Sequence, residues 1–161
     1  MKKKMLVSAL AAGVMLGVVG CGGGSSEGGE TIVGKWHKSC YIPTGSKYVH
    51  YRIVDIDVRN DGTTSLKKTY YNDKKCQVQS TKPKVSWQAT YTTGASTIGD
   101  DGKQAFEIDL HGDGWEYYQM YRFLDNGNLL TSGKQGVHDG TAPEARANHF
   151  DPRWTGYTRV Q

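Results

Sequence analysis

The chain has 161 residues, with 20 Lys or Arg against 16 Asp or Glu and a formal net charge of +4. Three of the 20 basic residues belong to an N-terminal leader, so the 17 that remain nearly balance the 16 acids. No basic patch and no RNP, zinc-finger or arginine-rich pattern is left, which excludes the usual nucleic-acid-binding domains. The length after the leader suits a single domain with one core.

Residues 1–20 have the organisation of a bacterial signal peptide. Lys2, Lys3 and Lys4 form a positive segment, and the apolar run after them spans about fifteen residues, shorter than the ~20 that a membrane-crossing helix needs. An uncleaved N-terminal anchor is the alternative interpretation. The run ends in Val18-Val19-Gly20-Cys21, which resembles the lipobox of bacterial lipoproteins, where small residues precede a cysteine that receives a diacylglyceryl group.

The lipobox resemblance implies that Cys21 becomes the acylated first residue and holds the protein to the membrane through its palmitate-type chains. Gly22 stands where Asp would imply inner-membrane retention, so the resemblance implies the outer membrane of the cell envelope. Residues 21–30 are rich in Gly and Ser and predict a flexible tether. Cys40 and Cys76 then remain, and an exported, oxidising setting predicts a disulfide between them. Two free or metal-binding thiols are the alternative.

Residues 31–161 show no sustained helical period, and their Thr-, Val-, Ile- and Tyr-rich runs predict β-strands. Hairpin turns are predicted at 60–62, 100–102 and 125–128, where Asn, Asp and Gly tolerate positive φ. A short further strand is a candidate at 76–80. The main predicted strands are 31–41, 47–59, 63–71, 85–93, 104–111, 115–124, 129–132 and 154–160.

About eight short antiparallel strands predict an all-β fold closed into a small barrel, because closure removes exposed strand edges. A β-sandwich with Greek-key connections is the structural alternative. Residues 133–151 are long for a structureless connection, so they predict either a short helix or a functional loop.

Gly34-Lys35-Trp36 resembles the Gly-x-Trp that begins the first strand in the lipocalin (calycin) group. In that group the Trp packs across the closed end of the barrel under an Arg from the end of the fold, which implies a barrel-closing pair of Trp36 and Arg159. The chain is also similar to lipocalin-like domains of bacterial lipoproteins at Tyr70-Tyr71-Asn72-Asp73 and at Phe150-Asp151-Pro152. The resemblance covers most of residues 31–161.

Large aromatic side chains occupy alternating positions of the predicted strands. They could line an apolar ligand pocket of the kind that barrels build, or they could fill the interior of a small barrel. These residues are Trp87, Tyr91, Trp115, Tyr117, Tyr121 and Phe123.

The polar residues predict no catalytic centre, cofactor or metal site. None of the histidines has a familiar metal-ligand spacing, no Gly-x-Ser-x-Gly elbow is present, and Asp55 and Asp57 are interpreted as solvated residues of an outer strand face. The histidines are His37, His50, His111, His138 and His149.

The resulting expectation is a non-enzymatic, membrane-anchored lipoprotein whose lipocalin-like barrel binds a small hydrophobic ligand. The alternative is a barrel with a filled interior that acts through protein interaction, as an inhibitor-like or envelope-structural module. The membrane is the expected partner through the lipid anchor, and nucleic acid is not.

Overall fold

The computed structural model describes residues 31–43 and 50–161. The predicted signal segment, the lipidation site Cys21 and the tether all lie outside these residues, as do residues 47–49 of the predicted second strand. Across the described ranges, no helix is long and apolar enough to cross a membrane.

The described residues form one eight-stranded antiparallel sheet that curls into a nearly closed barrel. The strands pair in the order β7-β6-β5-β4-β3-β2-β1-β8. Leu129 and Tyr157 exchange two backbone hydrogen bonds, of 2.9 and 2.7 Å, and so bring the two ends of the sheet together. The strands are β1 Gly34–Tyr41, β2 Tyr51–Val58, β3 Thr63–Tyr71, β4 Val85–Ile98, β5 Gln104–Gly112, β6 Trp115–Phe123, β7 Leu129–Thr131 and β8 Thr158–Val160.

The predicted all-β barrel of about eight strands is confirmed, and a single continuous sheet excludes the two-sheet sandwich. Residues directly opposite each other on paired strands share a face of the sheet. Trp36, Ile56, Leu66 and Trp87 are cross-strand partners in one row on the inner face. The barrel core is built from this face and includes Val54, Ile108, Leu110, Tyr121 and Leu129.

Because successive strands alternate in direction, the connections fall into two sets at opposite ends of the barrel. We call the end at which β1 terminates the upper end; it carries the β1–β2, β3–β4, β5–β6 and β7–β8 connections. The predicted disulfide between Cys40 and Cys76 is confirmed and lies at this end, with 5.7 Å between its Cα atoms.

The predicted short strand at 76–80 is wrong. The Asp73 carboxylate accepts hydrogen bonds from the backbone N–H groups of Lys75, Gln77 and Val78, so two residues of the predicted strand are held in an irregular segment instead. Only an isolated bridge between Tyr71 and Gln79 remains of the strand pairing.

We call residues 133–157 the covering segment. Its last residue, Tyr157, joins the inner core, whereas around Phe150 the segment packs on the outer face of β5, β6 and β7. Phe150 is 1% exposed and forms a second apolar cluster there with Ala105, Met120 and Leu130. The segment includes a short 3-10 helix, Pro143–Ala145, as the sequence allowed. The final strand is shorter than predicted because the chain turns at Trp154, whose N–H donates to the Asp151 carbonyl, and at Gly156, which has φ +76°.

A bidentate ion pair holds the β4–β5 turn against this second cluster. Arg122, which is buried, donates to the two carboxylate oxygens of Asp101 at 2.8 and 2.6 Å, and its guanidinium lies 4.2 Å from the centre of the Phe150 ring. The hydrogen bond from Arg122 lowers the pKa of Asp101 below its ordinary value, more than burial raises it.

Stability is therefore expected to fall in acid. A carboxyl whose pKa is lower in the folded protein stabilises the fold above its unfolded pKa, about 3.9, and loses this contribution as the pH falls through the folded value. The difference in thermal unfolding midpoint between the native chain and Asp101→Asn should be largest near neutral pH and shrink below pH ~4. Asp125→Asn, at an exposed turn position, is the control. If the difference in unfolding midpoint stayed constant from pH 7 to 2, the stabilising role of the ionised Asp101 would be contradicted.

Candidate ligand-binding site

The predicted pair Trp36 and Arg159 meets at the lower end of the barrel. The guanidinium of Arg159 lies 4.6 Å from the centre of the Trp36 ring, and Trp36 is 1% exposed. The indole N–H donates to the Ile32 carbonyl at 2.8 Å, and Arg159 donates to the Thr31 carbonyl. A Cβ on Gly34 would lie 3.3 Å from the Arg159 guanidinium, and the φ of Gly34 is +147°. Glycine at this position therefore gives the arginine room to cross the tryptophan.

The barrel interior contains a cavity of about 380 Å³. Its wall is mainly apolar, with Gln119, Thr64 and Thr131 among the few polar side chains. Trp87 and Trp115 meet edge to face in this wall, with 5.3 Å between ring centres. The apolar lining includes Ile56, Leu66, Ile108, Leu110, Leu129 and Tyr157.

The six aromatic residues singled out from the sequence divide into two groups. Trp87, Trp115 and Tyr117 line the cavity. Tyr91, Tyr121 and Phe123 do not line the cavity and pack with the core cluster alone: Phe123 lies 5.9 Å from Trp36 and 6.0 Å from Tyr121 between ring centres. Tyr91 also donates a 2.8 Å hydrogen bond to the Arg59 carbonyl. The interior is thus partly filled and partly open.

Cationic side chains also lie on the inner face, near the upper end of the barrel. Lys38 is 7% exposed, and its ammonium lies 5.0 Å from the ring centres of both Tyr41 and Trp154 and 5.7 Å from that of Tyr157. It donates to the Gly156 carbonyl at 3.3 Å. Burial, and then the positive charge of Arg52, lowers the pKa of Lys38. The aromatic rings and this carbonyl hold Lys38 in place.

Arg52 and Lys68 are further upper-end cations on the same face. Arg52 is the cross-strand partner of Tyr70, and Lys68 is the partner of the core residue Val54. Burial lowers the pKa of Lys68, and the charges of Arg52 and Lys82 lower it further. Arg52 could have been placed inside from sequence, because it stands two residues before Val54 in the same alternation.

Two buried polar atoms at this end of the barrel have no hydrogen-bond partner among the described residues. They are Nε of Arg52 itself and Nδ1 of His50. The His50 ring lies 6.4 Å from the ring of Tyr70, so it belongs to the same end of the barrel.

The remaining histidines take part in separate contacts outside the barrel. His37 pairs with Asp55 at 2.8 Å, His111 with Glu116 at 3.2 Å, and His149 with Asp100. The backbone of His138 exchanges hydrogen bonds with Gln135. In the ranges that the structure describes, no group of three or more His, Cys, Asp or Glu side chains could hold a metal ion.

Fold and site together define an antiparallel eight-stranded β-barrel with an internal apolar cavity, compatible with a lipocalin-like fold. Comparison with protein-family models, with curated proteins and with solved structures finds no match for this chain.

Proposed function

We propose that this chain is a lipid-anchored, lipocalin-like protein of the bacterial cell envelope that binds a small hydrophobic molecule in its barrel. The observation that carries the proposal is the interior cavity of about 380 Å³ with its apolar wall. Small-molecule sites are typically concave, mainly apolar and ~300–1,000 Å³ in volume, with a few polar groups that orient the ligand. The Trp36–Arg159 contact supports the lipocalin-like assignment, because the resemblance implied that pair.

Native mass spectrometry of the protein purified from its envelope compartment is expected to show an added small-molecule mass. Leu66→Trp should abolish that mass or weaken ligand binding at least roughly tenfold, because Leu66 lines the cavity and an indole there would occupy ligand volume. Titration with an apolar fluorescent dye gives the affinities.

Thr90→Trp is the matched control. Thr90 is exposed on the same sheet, so the substitution adds the same indole outside the barrel. A clean mass for the unmodified protein, with no dye uptake by any variant, would remove the carrier proposal. It would favour the second candidate, a protein-interaction barrel, which is supported by the packed part of the interior around Tyr121 and Phe123.

The anchor is tested separately, because it depends on residues outside the described ranges. Cys21→Ser is expected to abolish labelling by a radioactive or clickable palmitate and to move the protein from the membrane to the soluble fraction. Cys40→Ser, which leaves the lipobox unchanged, should retain the label. Persistent labelling of Cys21→Ser would exclude the lipobox assignment without affecting the cavity.

A further inference from the structure

We propose that Arg52, Lys68 and His50 form an anion site at the upper end of the barrel, which binds the headgroup of an amphiphile whose apolar part lies in the cavity. The inference rests on the ligand-binding function proposed above and specifies its ligand class: an alkyl or similarly apolar body that carries a carboxylate or a phosphate.

The first support is the charge that gathers on one inner face. Arg52 and Lys68 are diagonal neighbours across the β2–β3 pair, since Tyr70 lies opposite Arg52 and Val54 opposite Lys68. Such diagonal neighbours are roughly 7–8 Å apart, within reach of long side chains. Lys82 adds a further positive charge, with its ammonium 4.2 Å from the centre of the Tyr70 ring.

The second support is that the charges of Arg52 and Lys68 have no carboxylate partner in the part of the chain that the structure describes. Among the described residues, no ion pair joins the half-buried Arg52 and Lys68 or the buried Lys38 to a carboxylate, whereas the buried Arg122 and Arg146 of the outer face both have acid partners. Buried cations are ordinarily paired, because desolvation penalises an uncompensated charge. The buried Nδ1 of His50 and Nε of Arg52 leave two polar atoms for which an oxyanion is a suitable partner.

The third support is continuity with the cavity. Leu66 lines the cavity, and Lys68 is the next residue of β3 on the same face, about 7 Å further along the strand. On β2, Ile56 lines the cavity and Arg52 lies four residues away on the same face. Tyr157 forms part of the cavity wall and also contacts the buried Lys38. An apolar ligand in the cavity therefore has positive charge beside its upper end.

The positive charges of Arg52 and Lys68 favour a ligand with an anionic headgroup. A guanidinium offers paired donors that match carboxylate and phosphate oxygens, and a lysine ammonium adds a point charge. A cationic headgroup would meet repulsion from the same residues. A neutral headgroup would leave their charge uncompensated. Lys38 is assigned to the structure and not to the site, because its ammonium contacts three rings and donates to the Gly156 carbonyl. Arg52 differs: its guanidinium lies 4.9 Å from the centre of the Tyr41 ring, but its buried Nε has no hydrogen-bond partner among the described residues.

The test compares three probes of equal chain length, dodecanoate, dodecyl phosphate and dodecanol, by calorimetric titration of the full chain near neutral pH. At least one of the two anions is expected to bind roughly tenfold to hundredfold tighter than dodecanol. The tighter anion identifies the headgroup. Equal affinity for all three would overturn the anion site while leaving the carrier function intact. Binding of none would remove the carrier function itself.

Variants locate the preference. Arg52→Gln and Lys68→Gln should each weaken binding of the preferred anion roughly tenfold and leave dodecanol binding unchanged. Retained dodecanol binding shows that the barrel of each variant is intact. Lys67→Gln removes the same charge one residue away, on the outer face opposite Asp55, and should have no effect. An anion preference that survives both inner-face substitutions would overturn the proposal.

Discussion

Replacing Cys40 and Cys76 together by serine is expected to lower the free energy of unfolding by about 3–4 kcal/mol. The two cysteines are 36 residues apart in sequence, so their bond closes a long loop and restricts the unfolded chain. The bond also ties the end of β1 to the β3–β4 connection, beside the turn that Asp73 organises. Losing it therefore removes a constraint from the unfolded state and a tie from the upper end of the barrel.

Urea unfolding followed by tryptophan fluorescence measures this loss. Adding dithiothreitol to the native protein should produce a similar shift, whereas the double serine variant should be insensitive to the reductant. A variant with an unchanged unfolding midpoint would show that β-sheet pairing alone fixes the upper end of the barrel.

The barrel itself could be predicted because its determinants are local. Alternation along β2 and β5 distinguishes the inner from the outer face, and the turns around Gly62, Gly102 and Gly127 have the positive φ that glycine provides. Because the hairpin connections are short, each strand is expected to pair antiparallel with the next strand along the chain. The prediction failed at 76–80, where a side chain, Asp73, binds the backbone that the strand would have used.

The division of the interior could not be predicted, since it depends on how side chains meet across the barrel. Trp87 and Tyr91 stand on the same face of β4 and both pack against the core, yet only Trp87 of the two lines the cavity. Nothing local to β4 distinguishes the two positions. Lys68 was missed for another reason: a lysine in a strand is normally solvated, and its inner position follows only from pairing with Val54.

The packing of the covering segment could not be predicted from the sequence either. Residues 133–157 have no hydrophobic period, and their fit depends on partners far away in the chain. Arg146 is the clearest case. It donates to the carboxylate of Asp109 and, at 3.1 and 3.4 Å, to the carbonyls of Gln119 and Ile108, and it lies 3.5 Å from Glu107. A single arginine thus joins the segment to both β5 and β6.

Arg146→Met is accordingly expected to destabilise the fold by roughly 3 kcal/mol, at the low end of what breaking a buried ion pair costs. The side chain of Arg146 is 9% exposed, whereas those of Glu107 and Asp109 are 33% and 28% exposed, so the stranded carboxylates regain some hydration. Methionine keeps much of the apolar stem, so most of the loss should come from charge and hydrogen bonding. Chemical unfolding of the purified protein measures it.

Two controls separate this contact from the general loss of an arginine. Arg153→Met removes the ion pair with Asp151 from the same segment. Because Arg153 is 69% exposed, this change should cost less than Arg146→Met. Arg146→Lys keeps the charge without the planar fork and should fall between the two. If Arg146→Met cost no more than Arg153→Met, the apolar cluster around Phe150 and the backbone hydrogen bonds of the covering segment would hold it without Arg146. Hydrogen exchange at Ala147, whose N–H bonds the Tyr118 carbonyl, would then stay slow in Arg146→Met. Faster exchange at that amide is the expected result, because Arg146 is the neighbouring residue and joins this part of the segment to β5 and β6.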